Sequence, residues 1–344
     1  MVGLIDVGSA APTLGVTENF ALRLLSDCYG LRAKVSRIAS ETDAVFVVSA
    51  GKGGEFFLRV SGSPESLRLQ AGVFAYLAEA APSLPVPRLE ATLDGMPIAL
   101  TDDEGMAVSS LLTSLLPGRL LASAPARVDP HSVIAKLAEL DCALAGFSDP
   151  LARRRILWDV AHADAVRVHL DAIEDKQLRS LCADALDGWE ERAAPVLPSL
   201  RGQTIHNDFN PSNILVDQSG AISGIIDFGD LIEAPLVCDL ATMLAYLAPK
   251  EDLGTALAAP LSVYIELLPL GLSEIRILPD LIAARAAMVV AIASWRSALR
   301  PQDRRYLVRN IPVAGRVLAA WAAAGPETLG DWLAERTEAR GASR

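Results

Sequence analysis

The stretch TIHNDFNPSNILVDQSGAISGIIDFGD, residues 204–230, constrains this chain more than any other. Its first half mixes polar and turn-forming residues, then runs straight into the apolar Ile214-Leu215-Val216. That is the pattern of a loop feeding a β-strand. DQSG follows as a turn and AISGII restarts an extended run, so the segment predicts a hairpin turning near Gly220. Asn213 and Asp227 each lie seven positions from Gly220. That spacing predicts that they stand almost directly opposite one another, where Cβ atoms of an antiparallel pair are about 4.5–5.5 Å apart.

A neutral oxygen donor and a carboxylate meeting at one strand end, both beside Asp208, suit a hard cation such as Mg²⁺. Asp208 precedes the hairpin on a loop, free to face a substrate. Group transfer from a nucleoside triphosphate needs a carboxylate to receive a hydroxyl proton and two oxygen ligands for the metal that neutralises the phosphates. On this reading Asp208 is the base, Asn213 and Asp227 are the metal ligands, and His206 braces the loop. Ordinary turn chemistry explains any one of these residues, but not all of them in this order and spacing.

The bulk composition narrows the partners. With 344 residues, 51% hydrophobic and 21% charged, the chain can bury the cores of two lobes. A formal net charge of −11 argues against nucleic acid, which requires a clustered basic surface. Arg153-Arg154-Arg155 and Arg304-Arg305 are short basic runs that read as solvated helix faces. The opening MVGLIDVGSAAP lacks the cationic and apolar regions of a secretory signal. The apolar stretch LIAARAAMVVAIASW is interrupted by Arg285 and reads as too short to span a bilayer. Cys28, Cys142, Cys182 and Cys238 form no paired motif, as expected for reduced thiols in a cytoplasmic protein.

Along the chain, ENFALRLLSDCYG has helical spacing and stops at Gly30. AVFVVSA and EFFLRV are β-rich runs joined by GKGG as a hairpin. A helix follows from Pro64 with Ser63 as its cap, and RLEATLDGMPIAL reads as a second hairpin turning at Asp94-Gly95. TSLLPG, residues 113–118, is a joint. From about Ser132 the pattern is helical, with stripes at Val133, Leu137, Leu140, Leu144 and at Leu236, Leu240, Met243, Leu244, Leu247.

HNDFNPSNIL followed by IIDFGD resembles the catalytic and metal-binding loops of the aminoglycoside phosphotransferase family, a branch of the protein-kinase-like fold. LLPG looks like that family's inter-lobe joint, and PLVCDLATML resembles its helix after the metal loop, where Asp239 would buttress the catalytic loop. HNDFN, DFGD and LWDVAHADAVRVHL together look nearest to the hydroxylysine kinase-like branch. The resemblance covers roughly residues 15–325. It implies an α+β, two-lobed fold: a small N-terminal antiparallel β-sheet lobe (1–113) that binds nucleotide and a larger, mainly helical C-terminal lobe (114–344) that binds substrate. It also implies Mg²⁺ and ATP or GTP, with a small hydroxylated amine as acceptor, no nucleic acid and no membrane.

Two departures stand out. Where this fold usually has a lysine paired with a helix glutamate, the sequence offers Arg59 and Gln70. Arginine keeps a permanent charge able to fork two phosphate oxygens, whereas neutral Gln70 cannot complete an ion pair. The phosphate-covering loop ASETDAVF also lacks glycine, and Lys52 in GKGGE has no Walker spacing. Trp158 and Asp159 are assigned to the substrate pocket by the resemblance, with Trp158 offering a face for a substrate cation and Asp159 and Asp230 near its ammonium. His162 and His169 lie on the same stretch, but only their spacing suggests a metal. An active kinase, an aminoglycoside O-phosphotransferase and a non-catalytic nucleotide-binding relative all stand as readings, the intact Asp208, Asn213 and Asp227 favouring catalysis.

Overall fold

The computed structural model describes residues 15–38, 40, 43–103, 105–124, 128–247 and 252–342. Helix α1 (Glu18–Tyr29) opens the N-terminal lobe; Thr17 Oγ1 accepts from Phe20 N at its start. Gly30 ends it at φ +66°, with Gly30 N and Leu31 N turned back to Ser26 O and Leu25 O. Glycine takes that left-handed conformation without a Cβ penalty, which is why the helix stops there.

Strands β1 (Lys34–Ile38), β2 (Ala44–Ser49) and β3 (Glu55–Ser61) precede helix α2 (Pro64–Ala80), and β4 (Leu89–Glu90), β5 (Ala99–Asp103) and β6 (Met106–Ser114) follow it. They form one antiparallel sheet in the order β1-β2-β3-β6-β4, with β5 also on β6. The hairpin expected at GKGG joins β2 to β3. The second expected hairpin does not form. Thr92–Met96 makes a local turn, but β4 and β5 both pair with β6, Leu89 opposite Thr113 and Ala99 opposite Ser110. Nine-residue β6 is long enough to seat both in series along one edge. Ser63 also fails as a side-chain cap; its N–H donates to Ser61 Oγ instead. The covering loop lies partly outside the described residues, at 39, 41 and 42.

The sheet and α1 enclose one core, with Phe20, Leu24 and Leu25 against Phe46, Leu58 and Val60. Leu67, Val73, Phe74 and Leu77 of α2 belong instead to the core of the second lobe. Phe74 meets Phe228 edge-on at 5.1 Å. Helix α2 therefore joins the two lobes by packing.

The C-terminal lobe contains β7 (Arg119–Leu120), α3 (Pro130–Leu144), a 3₁₀ stretch (Val160–Ala172), α4 (Lys176–Gly188), β8 (Gly202–Ile205), β9 (Ile214–Val216), β10 (Ile222–Ile225), β11 (Ile232–Pro235), α5 (Val237–Leu244), α6 (Leu253–Leu267), α7 (Leu272–Leu299), α8 (Arg304–Leu307), α9 (Ile311–Ala324) and α10 (Pro326–Ala342). β9 lies between β10 and β7, and β8 pairs with β11. The 28-residue α7 is long and apolar enough to cross a bilayer, contrary to the expectation from the interrupted stretch. Its most apolar window is 94% buried inside the protein, against α4, α5, α9 and α10, so it serves as the lobe's central helix.

Candidate active site

The hairpin β9–β10 carries an irregularity the spacing did not predict. Ile222 faces Val216, but Gly224 faces Leu215 and Ile225 faces Ile214. Ser223 is the extra residue of a β-bulge. Beyond it, Ile226 N donates to Asn213 O at 2.9 Å. The residue opposite Asn213 is thus Ile226, not Asp227. Asp227 follows one step later at φ +62°, half exposed, where the chain leaves the ladder. A left-handed aspartate is held only where its surroundings over-determine it.

The preceding loop is pinned from below by Asp239 in the first turn of α5. Its two fully buried carboxylate oxygens accept from His206 N (2.7 Å) and Asn207 N (2.8 Å). That clamp holds Asn207 at φ +64°. His206 Nδ1 accepts from Asp208 N at 3.3 Å, which assigns the ring proton to Nε2, 3.2 Å from Ile226 O. Its ring packs on Phe209 and Phe228. Burial holds the imidazole below its usual pKa, against the opposing pull of Asp239 and Asp227. Neutral His206 therefore links the loop to the strand end without exchanging a proton.

Asp208 Oδ1 accepts from Asn210 Nδ2 (2.9 Å) and Arg285 Nη2 (3.1 Å), while Oδ2 accepts from Asn213 Nδ2 (2.6 Å). Asn213 Nδ2 also donates to Asp208 O at 2.9 Å. With its nitrogen spent, Asn213 has Oδ1 left, and that atom accepts no hydrogen bond among the described residues. Burial, then the charge of Asp230, pushes the Asp208 carboxyl up to about 8, while Arg285 opposes the rise. Asp230 is raised by burial and by Asp227. Burial would raise Asp227 too, but Arg59 outweighs it and leaves Asp227 below its ordinary value. The structure thus gathers Asp208, Asp227 and Asp230 into one acidic cluster. An amide oxygen and a carboxylate make a hard donor set of the kind Mg²⁺ takes, since that ion keeps several waters and phosphate oxygens of its own.

Arg59 Nη2 bonds Asp227 Oδ1 at 3.0 Å, and Nη1 lies 3.8 Å from Asp43 Oδ2. Buried Gln70 donates instead to Ser66 O and Oγ, each at 3.3 Å, and shares no hydrogen bond with Arg59 among the described residues. Arg59 has exchanged a helix partner for two aspartates.

Two residues expected at the substrate have partners within the protein. The Trp158 ring already has protein cations against it, the guanidinium carbons of Arg285 and Arg296 lying 4.9 and 5.9 Å from its centroid. Asp159 is buried: Oδ1 caps the 3₁₀ stretch through Ala161 N (2.9 Å), and Oδ2 bonds His162 Nδ1 (2.7 Å). Both oxygens are engaged within the protein, and the residue is only 4% exposed. His169 stacks on Trp295 at 4.1 Å, and no metal-binding group of three histidines, cysteines, aspartates or glutamates occurs among the described residues.

Two arginines were missed. Arg154, read as part of a solvated run, donates Nε to Leu231 O (3.2 Å) and Nη2 to Gly229 O, holding the segment that carries Asp230. Arg285, read as an interruption, reaches Asp208 from α7. A charged residue alone in the apolar stretch 281–295 was the available signal.

The profile of the phosphotransferase enzyme family, APH, matches residues 34–270, more than two thirds of the chain. The chain belongs to that family. This phosphotransferase is 27% identical to hydroxylysine kinase of Danio rerio over 81% of its length and 84% of the relative's. It is also 27% identical to hydroxylysine kinase of Mus musculus, covering 87% of both chains. Its fold matches a microcompartment-associated aminopropanol kinase with a TM-score of 0.69 at 17% identity, over 90% of this chain and 98% of that one. A spectinomycin phosphotransferase in complex with ADP matches at 0.67 and 14% identity, over 91% and 99%.

Proposed function

We propose that this phosphotransferase moves the γ-phosphoryl group of ATP or GTP to the hydroxyl of a small amino alcohol or hydroxylated amino acid. One observation carries the reading: Asp208 sits on a clamped loop, its carboxylate fixed by Asn210, Asn213 and Arg285, beside the donor pair Asn213 and Asp227. In this scheme Asp208 takes the proton as the acceptor oxygen bonds to phosphorus and the bond to the nucleoside diphosphate breaks. Asn213 Oδ1 and Asp227 would hold Mg²⁺, which when bound neutralises the phosphate charge. Arg59 would lie over the phosphates, and His206 and Asp239 keep the loop in place. Asp230 remains as the carboxylate for an acceptor ammonium; Asp159 and Trp158 are no longer assigned there.

The hydroxylysine kinase relatives and the aminopropanol kinase neighbour both support a small hydroxylated amine over an aminoglycoside. The four cysteines, none in a disulfide, fit the cytoplasm. The test is phosphoryl transfer from each nucleotide to a panel of hydroxylated amino acids, amino alcohols and kanamycin-type compounds. We expect far higher kcat/KM on the small amines. Turnover of the aminoglycosides alone would reverse the acceptor, and nucleotide binding without any transfer would favour a non-catalytic relative.

A further inference from the structure

Arg285 has the largest fully buried side chain among the described residues, on a helix whose neighbours are nearly all apolar. Burying a guanidinium costs several kcal/mol unless it is paired, and a well-packed apolar residue usually serves stability at least as well. Its groups point to one purpose. Nη2 bonds Asp208 Oδ1 at 3.1 Å, Nη1 bonds Trp158 O, and the Trp158 ring lies 4.9 Å from the guanidinium carbon. Tyr246 shares a hydrogen bond with it, and Nε has no partner. Its one ion pair among the described residues is with Asp208. Trp158 O also accepts from Asn207 Nδ2 at 3.5 Å, so both arms of the fork end on the loop or on the carbonyl that steadies it.

The lone pairs can be counted. A carboxylate oxygen accepts two hydrogen bonds in good geometry. Asp208 Oδ1 has both sites taken, by Asn210 and Arg285, whereas Oδ2 receives only Asn213.

We propose that Arg285 is a positioning residue for phosphoryl transfer, locking Asp208 Oδ1 so that Oδ2 is the oxygen that receives the acceptor's proton. The inference rests on Asp208 being the base. Because the guanidinium grips two acceptors with separate arms, a lysine can replace its charge but not its fork.

Four variants test this: Arg285→Met, which keeps volume, Arg285→Lys, Arg285→Ala, and Asp208→Asn as reference. Loss of alignment in Arg285→Met should lower kcat about 10²-fold, the cost of a roughly 1 Å misplacement at a reacting centre. The KM for Mg²⁺–nucleotide and its calorimetric affinity should stay at wild type. Arg285→Lys should recover part of the rate, and guanidinium ion added to Arg285→Ala should restore turnover to that variant but not to Asp208→Asn. Should the methionine variant fail to fold, the lysine variant and the guanidinium rescue decide between the two outcomes. Wild-type kcat in folded Arg285→Met or Arg285→Lys, with Asp208→Asn inactive, overturns this inference alone. An active Asp208→Asn removes the functional reading and this inference with it.

Discussion

In the proposed reading Asp208 carries the chemistry, on a loop that leaves its carboxylate little freedom. Asp208→Ala should lower turnover by about 10²–10⁴-fold, the range for a positioned general base, while calorimetry still shows nucleotide binding. Wild-type turnover in a pure preparation would remove it from the role. The pH dependence follows from its environment. Burial and Asp230 lift the carboxyl to about 8, so the base form is depleted below that pH and complete above it. The acceptor kcat/KM should therefore rise with pH and level off above about 8 in the free enzyme, and the inflection should fall once a bound dication favours the carboxylate. A flat profile through neutral pH would contradict the assignment. The residues gathered here were legible where they are close in sequence: Asp208, Asn213 and Asp227 lie on one hairpin and the loops that flank it. Arg285 was not, because its partner is 77 positions away and nothing local marks the contact. Asp159 shows the opposite limit: an aspartate opening a helical stretch is as much a cap as a ligand, and here it caps Ala161 N.

Among the elements, the hairpin β9–β10 was readable in outline and wrong by one residue. Periodicity locates strands, but a bulge is stabilised by tertiary contacts that periodicity does not contain. Here Ser223 donates Oγ to Pro117 O at 2.6 Å, which ties the bulge to the inter-lobe joint. Gly118 in that joint has φ +130°, and a Cβ there would lie 2.4 Å from Ser223 Oγ and 3.0 Å from Val216 O. Gly118→Ala should therefore destabilise the fold by about 1–3 kcal/mol, the cost of a strained backbone position, and raise the KM for Mg²⁺–nucleotide by disturbing the strand end at Asn213 and Asp227. Denaturant unfolding and kinetics at unchanged acceptor KM would check both. A variant of wild-type stability would mean the joint relaxes freely. The Asp94-Gly95 turn shows the same limit, since a correct local turn said nothing about which strand its flanks would pair with.

Over the whole molecule, the two lobes were legible from the change of periodicity after the joint, but the contact that spans them was not. Arg59 on β3 and Asp227 beyond β10 are 168 residues apart and bonded at 3.0 Å. Asp43 lies 3.8 Å away on the same guanidinium. In the proposed reading both Arg59 and Asp227 serve the nucleotide, one through phosphate and one through the metal, so the bridge and the ligand compete for the same groups. Asp227→Ala should then weaken Mg²⁺–nucleotide binding and largely abolish transfer, and EDTA should do the same to the intact enzyme. Arg59→Ala separates the two roles of the bridge. Asp227 is 48% exposed, so loss of the pair should cost no more than about 1 kcal/mol of stability. If Arg59 contacts phosphate, its removal should instead appear as a higher nucleotide KM, with Arg59→Lys retaining part of the function because a lysine supplies the charge without the fork. Unchanged nucleotide kinetics in Arg59→Ala would leave the bridge as a contact between lobes only, and would require another cation over the phosphates.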